Sequence, residues 1–246
     1  MAPDDYVRAT HYFGDGWALN FLQVVDNDSL RRDFEQIRED GFNTVIIVVP
    51  WRGFQVDHYA PEYDPFYVEQ LHRVMSAAQN ARLAVIVRIS YAHQILDVQP
   101  LSGLTMMQRL LTDPDTQAAW LDYCETVYRI CSGYGCFRQC FLSWEEFWHA
   151  FWRWQLYKPE FRVELADEIG FSQYLSEQGI DDITCIPRPE EPEYDVFHGF
   201  VNHRIRQMHA LASSRVPGLG IEIRVDKDRH VTACLLYTSP SPRDKF

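Results

Sequence analysis

The sequence predicts an α/β fold built on a parallel sheet, either open or closed into a barrel. Two observations carry this expectation. Apolar runs of strand length alternate along the chain with amphipathic stretches of helical period, and several of those stretches open with capping residues. Strand-to-strand connections of that kind are right-handed crossovers, which leave neighbouring strands parallel. The chain has 246 residues, 46% of them hydrophobic and 14% aromatic, enough to bury a substantial core.

Taken in order, a short strand is expected around Tyr12 to Phe21. From Asp28 to Asp40, Leu30, Phe34 and Ile37 recur at helical spacing with charges between them, and Gly41 stands where a helix C-terminus favours glycine. Phe42 to Val49 form a nearly continuous β-branched run ending at Pro50, the pattern of a strand covered on both faces. Asp64-Pro65 supplies an N-cap and a first-turn proline for a helix carrying Val68, Leu71, Met75 and Ala78. Leu83 to Ser90 follow as its strand. Asp113-Pro114 repeats the capping chemistry before Trp120, Leu121, Cys124, Val127 and Tyr128, and Phe137 to Ser143 make the next strand. Beyond it, Glu145 to Tyr157 and Val163 to Gln178 read as helices separated by Pro159. A proline-rich acidic loop, residues 187–192, leads into a long helix from Tyr194 to about Ser214, and Leu219 to Val225 complete about five strands. A full (β/α)8 barrel takes about 250 residues, so a barrel that spends almost this whole chain on five strands is one cut short.

The formal net charge of −12 opposes nucleic-acid phosphates and anionic membranes, and no basic patch offsets it. The longest apolar run, Val45 to Val49, is far short of the roughly 20 residues of a membrane span. Neither nucleic acid nor a membrane is therefore expected as a partner. Residues 234–246 have a different composition and no period, and they resemble a translated sequencing adapter. The expected division is a truncated barrel domain over 1–233 and a non-native tail over 234–246. Removing that tail's two basic residues and one acidic residue takes the charge from −12 to −13, and leaves five of the six cysteines. An odd count argues against a disulfide framework. Cys131, Cys136 and Cys140 lack a C-x2-C pair, and His58, His149 and His198 lack ligand spacing, so no metal and no cofactor are expected. Met1 to Asp5 have no basic start or apolar run of a secretory signal, which favours the cytoplasm.

In parallel α/β folds, chemistry collects at the C-terminal ends of the strands. The second strand ends Pro50-Trp51-Arg52, the third runs through Arg88 to Tyr91 and His93, and the fourth continues into Trp144-Glu145-Glu146. Each end thus combines aromatic rings with a guanidinium, imidazole or carboxyl group. That mixture suits carbohydrate, because C–H faces of sugars pack on rings while hydroxyls need multi-donor or multi-acceptor partners. Trp120, Trp152 and Trp154 are expected to serve packing instead.

The run GFNTVIIVVPWRGFQ resembles the second-strand segment of the clan of (β/α)8 glycoside hydrolases that includes cellulases, β-galactosidases and β-mannanases. The resemblance covers about residues 10–226. It includes Gly16 to Phe21 as a first-strand motif, with Trp17 and Asn20, and Phe141 to Phe147 where the clan carries its acid/base glutamate. What it implies is a partial (β/α)8 barrel of about the first five strands. It also implies hydrolysis of O-glycosidic bonds in an oligo- or polysaccharide by paired carboxylates. Glu146 falls at the acid/base and Glu145 in place of the clan's Asn, although a slip of one residue exchanges the two. Trp17, Asn20, Trp51, Arg52, Arg88, Tyr91, His93 and Trp144 are the implied sugar-binding residues. Retaining hydrolysis places the second carboxylate about 5 Å from the first, and in the clan that carboxylate follows the seventh strand. Glu222 within LGIEIRV is a weaker substitute for it, since it faces either the interior or a helix. The competing reading is a barrel that binds glycan without cleaving it, serving polysaccharide biosynthesis or export.

Overall fold

The computed structural model describes residues 6–15, 21–54, 63–90, 108–142, 154 and 158–222. The strands are β1 (Ala9–His11), β2 (Thr44–Pro50), β3 (Ala84–Ser90), β4 (Phe137–Leu142) and β5 (Gly220–Ile221). They form one sheet in the order β1-β2-β3-β4-β5, and every neighbouring pair is parallel. Sequential order with parallel pairing is the arrangement of a (β/α)8 barrel wall. In a doubly wound sheet the order would reverse at a switch point.

The helices form where the capping residues direct. Asp26 accepts the Ser29 N–H at 2.8 Å and starts α1 (Asn27–Glu39). A short α2 (Trp51–Phe54) follows β2 directly. Asp64 accepts the Phe66 N–H at 2.9 Å at the head of α3 (Pro65–Asn80). Asp113 heads α4 (Pro114–Ser132), accepting from the Asp115 N–H and from the Thr116 hydroxyl. Each such cap satisfies a donor that the first helical turn leaves open, and is worth about 1 kcal/mol. Between β4 and β5 lie α5 (Pro159–Glu168), α6 (Phe171–Gln178) and α7 (Tyr194–Ser213).

Two expectations change. The first described strand lies at Ala9–His11, and Gly14 at φ +55° turns the chain just after Tyr12 donates its N–H to the Ile46 carbonyl; of the strand expected around Tyr12 to Phe21, residues 16–20 lie outside the described residues. The helix predicted over Val163 to Gln178 is two helices, α5 and α6. Gly170, at φ +79°, breaks the helical path between them. The buried Arg162 then ties this region together by donating to the Ile186 carbonyl and pairing with Glu191 at 3.4 Å. The predicted fifth strand, Leu219 to Val225, is described to Glu222, with Gly220–Ile221 paired to β4.

The core lies between the sheet and its helices. Val45, Ile47, Val49, Val85, Val87, Ile89, Cys140 and Leu142 pack in one cluster with Phe34, Met75, Trp120 and Phe200. Because side chains alternate along a strand, the intervening residues face the opposite side. Val48 and Ile86 are buried and yet stand outside that cluster. This second face is the inner wall of the barrel.

Candidate functional site

Four strands bring polar residues to the inner wall. Thr44 on β2, Arg88 on β3, Gln139 on β4 and Glu222 after β5 alternate with the helix-side residues, among Val48, Ile86 and Phe141. Arg88 and Glu222 meet across the intervening β4. Arg88 Nη2 donates to Glu222 Oε2 at 2.6 Å, and the guanidinium lies 6.0 Å from the centre of the Phe141 ring. Barrel interiors are built in this way, with alternate strands contributing to one layer of side chains.

The backbone explains how the pair forms. Arg88 is in register with Phe141, and Phe141 with Gly220. A side chain at Gly220 would begin 3.3 Å from the Phe141 Cβ, so glycine lets β5 lie close to β4 at this level. The Glu222 N–H donates to the Leu142 carbonyl at 3.1 Å and continues the β4–β5 ladder past Ile221. Glu222 therefore stands two residues beyond the position in register with Arg88, an offset that the tilt of barrel strands brings level, so the two side chains share one layer. The sequence carried a signal for this. In LGIEIRV, Leu219, Ile221, Ile223 and Val225 alternate with Gly220, Glu222 and Arg224, so an apolar helix side puts Glu222 inside.

The mouth of β2 is anchored from behind. Trp51 is fully buried and stacks on Tyr123 at 6.1 Å. Tyr123 donates its buried hydroxyl to the Val49 carbonyl, and Phe54 packs on both Tyr63 and Tyr123. The Phe54 carbonyl also accepts the Asp64 N–H at 2.9 Å. The Trp51 ring thus lies in the core, where it fixes the turn that carries Arg52 in α2. Trp120 and Trp154 are fully buried too, as packing residues should be.

Of the residues singled out from the sequence, Arg88 and Trp51 are described in full, and for Arg52 the backbone within α2 is described. Trp17, Asn20, Tyr91, His93, Trp144, Glu145 and Glu146 lie outside the described residues. β4 ends at Leu142, two residues before Trp144.

The cysteines belong to the helix side of the sheet. Burial pushes the thiols of Cys124 and Cys131 well up, and that of Cys140 up to about 12. These three are small apolar packing groups, not activated thiolates. Among the described residues no three His, Cys, Asp or Glu side chains gather as a metal site. No described helix is long and apolar enough to cross a membrane.

A parallel sheet in sequential order, with polar residues on its inner wall, defines the class: a partial (β/α)8 barrel. One solved structure shares this fold at a TM-score above 0.5. A variant of GH5_18 from Streptomyces cattleya, in complex with Manβ1-4GlcNAc, is similar over 88% of this chain and 44% of its own, with 20% identity and a TM-score of 0.52. GH5_18 from the same organism in complex with GlcNAc is similar over 74% of this chain and 44% of its own, with 21% identity and a TM-score of 0.48. The beta-glycosidase BGL167 is similar over 88% of this chain and 54% of its own, with 16% identity and a TM-score of 0.48. The chain thus spans less than half the length of the GH5_18 barrels. No protein-family model matches the sequence, and no curated protein matches it.

Proposed function

We propose that the chain is the acid/base half of a glycoside hydrolase barrel that cleaves O-glycosidic bonds in an oligo- or polysaccharide. The observation that carries this reading is the order of the strands. Five parallel strands follow one another in a barrel wall, and the fourth runs out at its C-terminal end into Trp144-Glu145-Glu146. That is where a barrel of this kind presents its acid/base carboxyl. Glu146 is the proton donor to the leaving oxygen. Trp144, Phe147 and Trp148 flank it in sequence, and burial among such rings would raise a carboxyl's pKa and keep it protonated near neutral pH. Glu145 takes the place in sequence of the clan's Asn.

The reaction needs a second carboxylate about 5 Å away in a retaining enzyme. Such a group belongs to a strand beyond the five described, and the chain spans 44% of the length of the GH5_18 barrel it resembles. Activity is accordingly proposed for a longer protein, and the 246-residue chain by itself is expected to release nothing from an aryl glycoside. The probes are aryl β-glycosides and Manβ1-4GlcNAc, the disaccharide held by the S. cattleya protein. In the longer protein, Glu146→Gln should abolish turnover while Glu145→Gln only weakens it. The reverse ranking assigns the acid to Glu145. Full turnover in both variants removes the acid/base role from this pair, whereas a longer protein that binds the probes and turns over none of them overturns the hydrolase reading and leaves a barrel that binds glycan without cleaving it.

A further inference from the structure

The ion pair of Arg88 and Glu222 joins β3 to the end of β5 across β4, beside a backbone ladder that already links the three strands. It sits among Val48, Ile86 and Phe141, where apolar side chains of similar volume serve stability as well as or better than a desolvated pair. Its geometry is also asymmetric. The Arg88 side chain is 8% exposed and that of Glu222 30%, so the guanidinium lies behind and the carboxylate in front, on the accessible side of the inner wall. Glu222 stands at the C-terminal end of the sheet, its backbone fixed by Leu142 and its Oε2 by Arg88. A carboxylate offers about four acceptor positions on its two oxygens, and adjacent hydroxyls of a sugar ring match their spacing.

We infer that Glu222 is a sugar-binding residue that accepts hydrogen bonds from adjacent ring hydroxyls on the inner wall, with Arg88 as the positioning residue that aims it. This inference rests on the proposed glycan reading and deepens it. It gives Glu222 a role distinct from either carboxylate of the hydrolytic pair. The role demands a ring with neighbouring free hydroxyls, such as an unsubstituted terminal hexose.

The test is a ligand-observed NMR titration of the whole 246-residue chain with methyl β-mannoside, its monodeoxy derivatives and Manβ1-4GlcNAc. Glu222→Leu should weaken binding of the intact sugars by about tenfold or more, the worth of a hydrogen bond to a charged group. One monodeoxy sugar should lose a similar factor against the unmodified chain and lose nothing further against Glu222→Leu. A purely structural pair would instead weaken every probe alike, and that result overturns the inference. So does unchanged affinity in Glu222→Leu. Should Glu222→Leu fail to fold, the double variant Arg88→Met/Glu222→Leu removes both charges, and its retention of wild-type affinity in a folded state overturns the inference equally. If the unmodified chain binds none of the probes, the inference falls, while the glycan reading stands or falls on turnover and binding by the longer protein. Binding that is indifferent to Glu222 removes the inference alone.

Discussion

The two faces of the sheet are made from the same strands and obey different rules. On the helix side, Val45, Ile47, Val49, Val85, Val87 and Ile89 are buried without exception among the residues of α1, α3 and α4. On the inner wall the side chains range from buried Val48 to half-buried Ile46 and Phe141, and a charge pair sits among them. One face is a finished core. The other is a surface whose apolar members carry a polar layer toward the mouth. The difference shows that parity along a strand, more than composition, separates residues that hold this fold from residues available for chemistry.

Ile46 and Ile47 put this to the sharpest test, since they are identical in type and adjacent in sequence. Ile47→Ala should cost about 2–5 kcal/mol in urea unfolding, as for a fully buried aliphatic side chain, whereas half-buried Ile46→Ala should cost about 1 kcal/mol. Equal costs would break the distinction between the faces.

The next effect concerns the charged layer. Glu222→Leu takes the carboxylate from a guanidinium that is nearly buried, and should cost about 2–3 kcal/mol. Arg88→Met/Glu222→Leu should recover most of that loss in the same unfolding assay. A double variant no more stable than the single one would break the contrast drawn between the two faces.

Smaller effects belong to the helix layer, which the inner wall lacks. Asp113→Ala should lower stability by about 1 kcal/mol, because the caps to Asp115 and Thr116 are lost. The Asp26 carboxyl is held below its ordinary value by the Ser29 backbone N–H, so its contribution is complete above the ordinary aspartate range and fades as pH falls through the lowered value. The melting temperature of the wild type should therefore exceed that of Asp26→Asn near neutral pH, and the gap should close as pH falls below the ordinary aspartate range. A gap that widens on acidification would reverse the sign of the linkage.

Much of the fold was legible in advance. Asp-Pro at 64–65 and 113–114 located two helix starts to the residue, because a capping carboxylate and a first-turn proline are local chemistry. The β-branched run before Pro50 likewise announced β2. β1 was misplaced because three residues hold too little pattern to outweigh the aromatic residues that follow them. The helix expected through residue 170 was misjudged because hydrophobic period persists across a glycine whose φ interrupts the path.

Within the site, the sequence named Arg88, and it marked Trp51 by its place at the end of a strand. It did not show that the Trp51 ring turns back onto Tyr123, because the direction a side chain takes after a strand depends on what packs behind it. Nor did it join Arg88 to Glu222, which lie 134 residues apart. The sequence by itself determined the alternation of elements, their caps, the strand ends and the residue types presented there, all of which depend on neighbours within a few positions. Only the tertiary structure decided which face each strand residue occupies and which distant residues share a layer. Those outcomes depend on the register between β3, β4 and β5, and register is set by packing the whole sheet against its helices.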